Sequence, residues 1–174
     1  FRVKWKLESK NFKQYNELIG DRKRIYDLGT GYGYLPYYLH YSDPNKVITG
    51  VDYDSNKIEI AEQSYLKDDN LRFVSSDVSD FKLDSFDALL LCDVLHYINR
   101  NERRSLLEKA VESMNENGII LIREGISDFE LEHRRTAFTE FLSTKIFKFN
   151  KAYKELDFIT KLEIDELANH LNTN

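Results

Sequence analysis

Three glycines stand at alternate positions behind an acid in Asp27-x-Gly29-x-Gly31-x-Gly33, inside the stretch YDLGTGYGYLPYY, while the rest of the chain holds only four more. So bare a backbone permits left-handed turns and lets a ligand come close to the main chain. A strand running into such a turn and on into a helix N-terminus is a binding position. Spacing narrows the ligand. The dinucleotide fingerprint G-x-G-x-x-G needs a glycine at position 34, and Tyr34 is there. An acid two residues ahead of the first glycine repels a pyrophosphate and suits a cation carrying an amine and a sulfonium, so nicotinamide cofactors fail on both counts. His96 is the nearby group whose ordinary pKa suits a general base, against which stands a core histidine beside Leu95 and Ile98. Cys92 reads as a small core residue. No His, Cys, Asp and Glu cluster has metal-ligand spacing, and no metal is expected.

These residues must be held by alternating strands and helices. RKRIYDLG predicts a strand ending at the glycines, and GYLPYYLHY a helix that tolerates Pro36 in its first turn. NKVITGVDYD is a second strand, and SNKIEIAEQSYLKD a helix with Ser55 placed to cap it. LRFVSSD and FDALLLCDV follow as strands, the latter an unbroken apolar run suited to burial on both faces. NERRSLLEKAVESMN is a helix and GIILIREG a fifth strand. The pattern predicts an α/β fold with a mainly parallel sheet and helices on both faces. An N-terminal helix is expected within residues 4–19, with the first residues ambiguous. DFELEHRRTAFTEFLSTKIFKFN predicts a long helix, and KLEIDELANHL another. One domain is expected over 1–174: an N-terminal helix in 1–20, a ligand-binding core over 21–125, and a helical C-terminal region over 126–174.

The 174 residues suffice for one core. With 41% hydrophobic and 32% charged residues the chain is neither disordered nor membrane-spanning, and no apolar run approaches the ~20 residues a spanning helix requires. One cysteine allows no internal disulfide, which favours a reducing, cytoplasmic setting. The net charge of −5 argues against general nucleic-acid binding. Basic residues nevertheless gather in 131–154, six against two acids, and in 1–13. The chain opens at Phe1 rather than methionine, which suggests a domain excised from something larger.

IYDLGTGYG resembles the first motif of class I S-adenosylmethionine-dependent methyltransferases, and the likeness continues in order over roughly residues 20–125. It implies a Rossmann-like doubly wound fold, S-adenosylmethionine as cofactor and S-adenosylhomocysteine as product. Asp27, Gly29, Thr30, Gly31 and Gly33 then form the glycine loop. ITGVDYD resembles the second motif, which gives Asp52 to the ribose hydroxyls and Tyr53 to the adenine face; a helix cap for Asp52, or Asp54 in the ribose role, compete. FVSSDVSDF resembles the segment meeting the adenine amino group, so Asp77 and Val78 belong there unless Asp77 merely forms a turn. FDALLLCDVLHYI resembles the motif whose loop closes over the methyl donor, which implicates Asp93 and His96.

Methyl transfer asks mainly for alignment and exclusion of water, with a base such as His96 useful for a hydroxyl acceptor. Tyr32 and Tyr34 are candidates for the acceptor pocket; Tyr34, Tyr37, Tyr38 and Tyr41 also have helical packing spacing. Arg134 and Arg135 either contact an anionic or carrier-bound acceptor or cover a solvated face. A narrower resemblance, carried by LGTGYGYLPYYL, DYDSNKIEIAEQ, LHYI and HRRT…TEFLSTKIFKFNK, is to the methyltransferase domain of bacterial transporter, acyltransferase and methyltransferase fusion polypeptides of aryl-polyene and flexirubin-type clusters. It would place Trp5 and the basic start near the cytoplasmic side of a membrane. The two final strands typical of the family have no counterpart before Asn174, so a missing C-terminal hairpin is expected. A non-catalytic S-adenosylmethionine-binding regulatory module is the rival function, aminopropyl transfer a remoter one, and a homodimer is open.

Overall fold

The computed structural model describes residues 10–64 and 67–124. These fall into two units: residues up to Cys92 with Glu112–Ile122, and Asp93–Val111 with Arg123 onward. In chain order the elements are α1 (Lys10–Ile19), β1 (Arg24–Leu28), α2 (Tyr34–Ser42), β2 (Val47–Asp52), α3 (Ser55–Glu62), β3 (Leu71–Ser75), β4 (Phe86–Cys92), a 3₁₀ turn (Leu95–Tyr97), α4 (Arg100–Ser113) and β5 (Met114–Arg123).

The first unit carries the sheet, ordered β3-β2-β1-β4-β5. β1 pairs in parallel with both β2 and β4, and β2 with β3, so Leu28 stands level with Val51 and Leu91, and Asp52 with Ser75. The chain walks outward from β1 to β3, then returns to the other side of β1. That reversal makes the carboxyl ends of β1 and β4 the switch point, where open α/β sheets bind ligands. β4 can lie inside the sheet because Leu89, Leu90 and Leu91 are each fully buried, worth roughly 1.5–3 kcal/mol apiece. Ile25, Leu35, Leu39, Ile48, Leu71 and Phe73 build the core around it.

Local chemistry sets the ends of the elements. α1 buries Tyr15 and Ile19 and stops at Gly20, whose φ of 58° lets its N–H reach the Asn16 carbonyl at 3.0 Å. α3 is capped by Asp54, which accepts from the Asn56 N–H at 3.1 Å; the expected cap, Ser55, is instead the first helical residue. α3 also ends at Glu62, earlier than its pattern predicts. β5 begins four residues sooner than Gly118, with Asn117 at a φ of 62° bending it, and its carbonyl accepting 2.9 and 2.7 Å bonds from Arg22. In the second unit Asn99 accepts from Glu102 N–H at the head of α4. Among the described residues, no helix is long and apolar enough to cross a membrane.

Candidate functional site

Beyond β1 the chain must turn sharply, and Gly29, Gly31 and Gly33 do so with φ of 80°, 58° and 74°. Side chains other than glycine's are strained there. Gly33 is fixed by space as well, because a Cβ would sit 2.5 Å from the Phe73 ring; one on Gly31 would meet nothing within 4 Å, so that side of the loop is open. The loop is tied to β2 by its own amides. Gly29 and Thr30 both donate to the Val51 carbonyl, at 2.8 and 2.9 Å, and Gly31 donates to Asp52 Oδ2 at 2.8 Å. These donors are therefore spent inside the protein and do not form a phosphate cradle. Asp52 Oδ1 accepts from Asp54 N–H at 2.9 Å. One buried carboxylate thus clasps the loop and aligns the head of α3, while each oxygen keeps a lone pair for a ligand hydroxyl.

Asp27 is 3% exposed and stands between Gly50 and Leu90 in the sheet. Burial raises its carboxyl to about 7; the Thr30 hydroxyl works against the rise and the Asp52 charge adds to it. Tyr32 and Tyr34 are half-buried with rings 6.1 Å apart, and the Lys57 ammonium lies 6.0 Å over the Tyr32 ring. Tyr53 is half-buried beside Asp52 in sequence. Asp77, at the carboxyl end of β3, accepts from Ser79 N–H at 2.9 Å, with its carbonyl serving Asp80 and Phe81; Val78 is buried. Asp77 is therefore a turn former, whatever else it does. The first unit brings together the glycine loop, Asp27 and Asp52 and arrays Tyr53, Asp77 and Val78 at the same strand ends.

The second unit holds its own constellation. His96 is buried on the 3₁₀ turn, and its Nδ1 lies 2.7 Å from Glu124 Oε2. Glu124 Oε1 accepts from the Val94 and Leu95 amides at 2.7 and 2.6 Å. An acid on Nδ1 makes that nitrogen the donor of the pair and leaves Nε2 as the ring's other polar atom. Arg103, fully buried, donates from Nε to the Leu95 carbonyl at 2.9 Å and braces the same turn. Asp93 takes a φ of 54° and pairs with Arg123.

Sequence reasoning does not reach Glu124, Gly50 or Lys57. Glu124 had a faint signal, an acid just past the apolar run of the last strand, a strand expected to be buried that is instead partly exposed along its length; Gly50 is required because a Cβ would sit 2.9 Å from Thr30 Oγ1 and 2.7 Å from Phe73. Of the tyrosines assigned to packing, Tyr37 and Tyr38 do pack on the core, but Tyr41 is 80% exposed. Arg134 and Arg135, the helices expected after Gly125 and the residues through Glu8 lie outside the described residues. Among the described residues no group of three or more His, Cys, Asp or Glu is placed to hold a metal.

A parallel sheet with a glycine turn and a carboxylate at its switch point defines a Rossmann-like ligand-binding domain. More narrowly, residues 25–118 match the methyltransferase domain family, and the chain belongs to it. Among curated relatives, the carboxy-S-adenosyl-L-methionine synthase of Histophilus somni strain 129Pt is 24% identical over 147 residues, covering 82% of this chain and 57% of that protein. The protein of the same name from Ruthia magnifica is 26% identical over 81% of this chain and 60% of its own length. The chain thus spans under two thirds of these relatives. Among solved structures, the plantazolicin methyltransferase BpumL in complex with SAH superposes with a TM-score of 0.68 at 20% identity, over 96% of this chain and 63% of that one. A putative O-methyltransferase of Nostoc punctiforme gives 0.68 at 16% identity, over 97% and 53%. At these identities the superpositions establish the fold.

Proposed function

We propose that the chain binds S-adenosylmethionine and transfers its methyl group to a small-molecule or carrier-linked acceptor at oxygen. The observation that carries this reading is Asp52, a buried carboxylate at the end of β2 that holds the Gly31 amide and keeps lone pairs for a ribose. Family membership and the open side of the loop at Gly31 support it. In this reading Gly29, Thr30, Gly31 and Gly33 approach the ligand through their backbone, Asp52 accepts from the ribose hydroxyls, and Tyr53 lies on the adenine. Asp77 and Val78 take the adenine amino edge, and Asp27 faces the cationic part, with Asp93 on the closing loop. The bound cofactor supplies an activated methyl group on a sulfonium. The chain's own work is alignment, exclusion of water and acceptance of a proton. What supports His96 as the base is the dyad itself, whose Glu124 fixes the Nδ1 proton and stabilises the imidazolium that forms. Tyr32 and Tyr34, with Arg134 and Arg135, are proposed for the acceptor. The narrower resemblance to fusion polypeptides adds the proposal of a lipid-linked acceptor handled beside a membrane.

The names of the curated relatives favour a second reading, chemistry that yields carboxy-S-adenosyl-L-methionine. Calorimetric titration with S-adenosylmethionine and S-adenosylhomocysteine tests the cofactor. Micromolar binding weakened at least tenfold by Asp52→Ala is expected, and a folded chain that binds neither ligand sinks the proposal. Mass spectrometry of the nucleoside after turnover separates the readings: S-adenosylhomocysteine marks methyl transfer, a carboxylated sulfonium the second, and unchanged ligand a binding module.

A further inference from the structure

We propose that Phe73, whose strand is separated from β1 by β2, is a positioning residue for the ligand of the glycine loop: its ring is the chock that sets how far Gly33, and the loop with it, stands off β2. This rests on the S-adenosylmethionine site proposed above and names a residue outside the loop that holds that site in shape.

Phe73 is buried in the middle of β3, level with Gly50 on β2. Gly50 has no side chain, so the ring lies over its bare Cα: Cδ1 and Cε1 fall 2.7 and 2.9 Å from where a Cβ would be. Thr30 Oγ1, from the glycine loop, shares that space at 2.9 Å. The same ring also reaches the end of the loop, where Cε1 and Cζ stand 2.5 and 2.6 Å from the place of a Gly33 Cβ. One ring edge thus fills the absence of two side chains, one on a strand and one on the loop. It has little room to swing. Ala61 on α3 lies 3.3 Å from the same Gly33 position, the Tyr37 ring on α2 is centred 5.4 Å from that of Phe73, and the Phe73 amide donates to Glu62 Oε1 at 2.9 Å.

The loop needs such a support because glycines have more backbone freedom to lose than any other residue and hold no shape of their own. Gly33 is where support counts: its amide donates to the Thr30 carbonyl at 3.1 Å and its carbonyl accepts from the Tyr37 amide at 3.0 Å, joining loop to α2. Gly31, two residues earlier, carries the bond to Asp52 and has open space on its Cβ side. A ring pressing on Gly33 from the core therefore sets the surface a ligand meets at Gly31. A side chain that stops short lets the loop sink towards β2.

Reach can be varied at nearly constant size. Phe73→Leu keeps a carbon over Gly50 and lacks the atoms that touch Gly33, whereas Phe73→Met is similar in volume and long enough to get there. Leucine and methionine exchange at little cost in cores, so urea denaturation should give the two variants similar midpoints. Calorimetric titration of the full chain with S-adenosylhomocysteine should separate them, with binding about tenfold weaker for Phe73→Leu and within about threefold of wild type for Phe73→Met. A merely structural Phe73 would lower the denaturation midpoint and leave the affinity of the folded chain unchanged. That result, or equal losses of affinity in both variants, overturns the proposal while leaving the cofactor in place. If the Phe73 variants fail to fold, Gly50→Ala keeps the ring but forces it off its seat, and unchanged affinity there overturns the proposal as well. In the wild-type chain, Overhauser contacts between the Phe73 ring edge and the Gly33 α protons are expected, and their absence overturns it without any variant. A folded wild-type chain that binds neither S-adenosylmethionine nor S-adenosylhomocysteine overturns the cofactor reading, and this proposal with it.

Discussion

Asp52 in the first unit and Glu124 in the second solve the same problem by the same means. Each is a buried carboxylate that accepts two backbone amides, Gly31 and Asp54 in one case, Val94 and Leu95 in the other. Each thereby fixes a turn that follows a strand. Glu124 goes further and takes the proton-bearing nitrogen of His96. Asp27, at the head of the glycine loop, has among the described residues no backbone amide aimed at it, and the Thr30 hydroxyl offsets its burial only in part. Burial alone therefore does not decide what a carboxylate does; the number of N–H groups aimed at it does.

The largest effect should come from breaking the richer of the two clasps. Glu124→Ala strands two amides and an imidazole N–H, and removing one member of a buried charged network costs about 3–5 kcal/mol. Urea denaturation checks this, and a loss under ~1 kcal/mol would mean the three donors find water or other acceptors. Glu124→Gln retains one acceptor oxygen and should fall between. Asp52→Ala strands two amides and should cost about 2–3 kcal/mol, together with ligand affinity. A variant that lost affinity at unchanged stability would show that Asp52 serves the ligand and does not hold the loop.

The contrast also explains what the sequence reveals. The succession of strands and helices and the glycine loop are legible because a β-α-β unit places them at fixed short spacings, so type and distance along the chain carry the geometry. Glu124 meets His96 across 28 positions, and nothing local to either residue announces the contact. Gly50 was invisible for a similar reason: its need for a bare Cα comes from Phe73 and Thr30, brought in by other elements. The cap of α3 went to Asp54 instead of Ser55 because Asp52 pins the Asp54 amide and so sets where the helix begins. Tyr41 kept the helical spacing of its neighbours yet faces solvent, since periodicity marks a stripe and not its width.

Asp27 supplies the next effect, one with the opposite sign to an ordinary acid. Its folded midpoint, about 7, lies above the unfolded value of 3.8, so the native state holds the extra proton between them. Stability falls as pH rises through that window, by about 2–3 kcal/mol between pH 5 and 8 if burial acts in full. Asp27→Asn should flatten this slope and stabilise the ligand-free protein at pH 8, read as a higher denaturation midpoint. Parallel slopes for variant and wild type would show that Asp27 is compensated after all.

The smallest effect belongs to Asp43, a carboxylate at the surface. Lys23 Nζ sits 2.7 Å from it, and that bond, with the Asn45 amide, holds its carboxyl down at about 2. The sign is the usual one for an acid: the contribution is present above the unfolded midpoint of 3.8 and disappears as pH falls toward 2. Lys23→Ala should raise the Asp43 midpoint towards 3.8 in a carbon-13 titration while barely moving the denaturation curve at pH 7. Added salt should do the same to the wild type, because screening over about 3 Å at 1 M reaches an exposed pair and not a buried one. If salt shifted the Asp27 titration as much as that of Asp43, solvent would have access to the site behind the glycine loop, and the distinction between clasped, uncompensated and exposed carboxylates would collapse to one of distance alone.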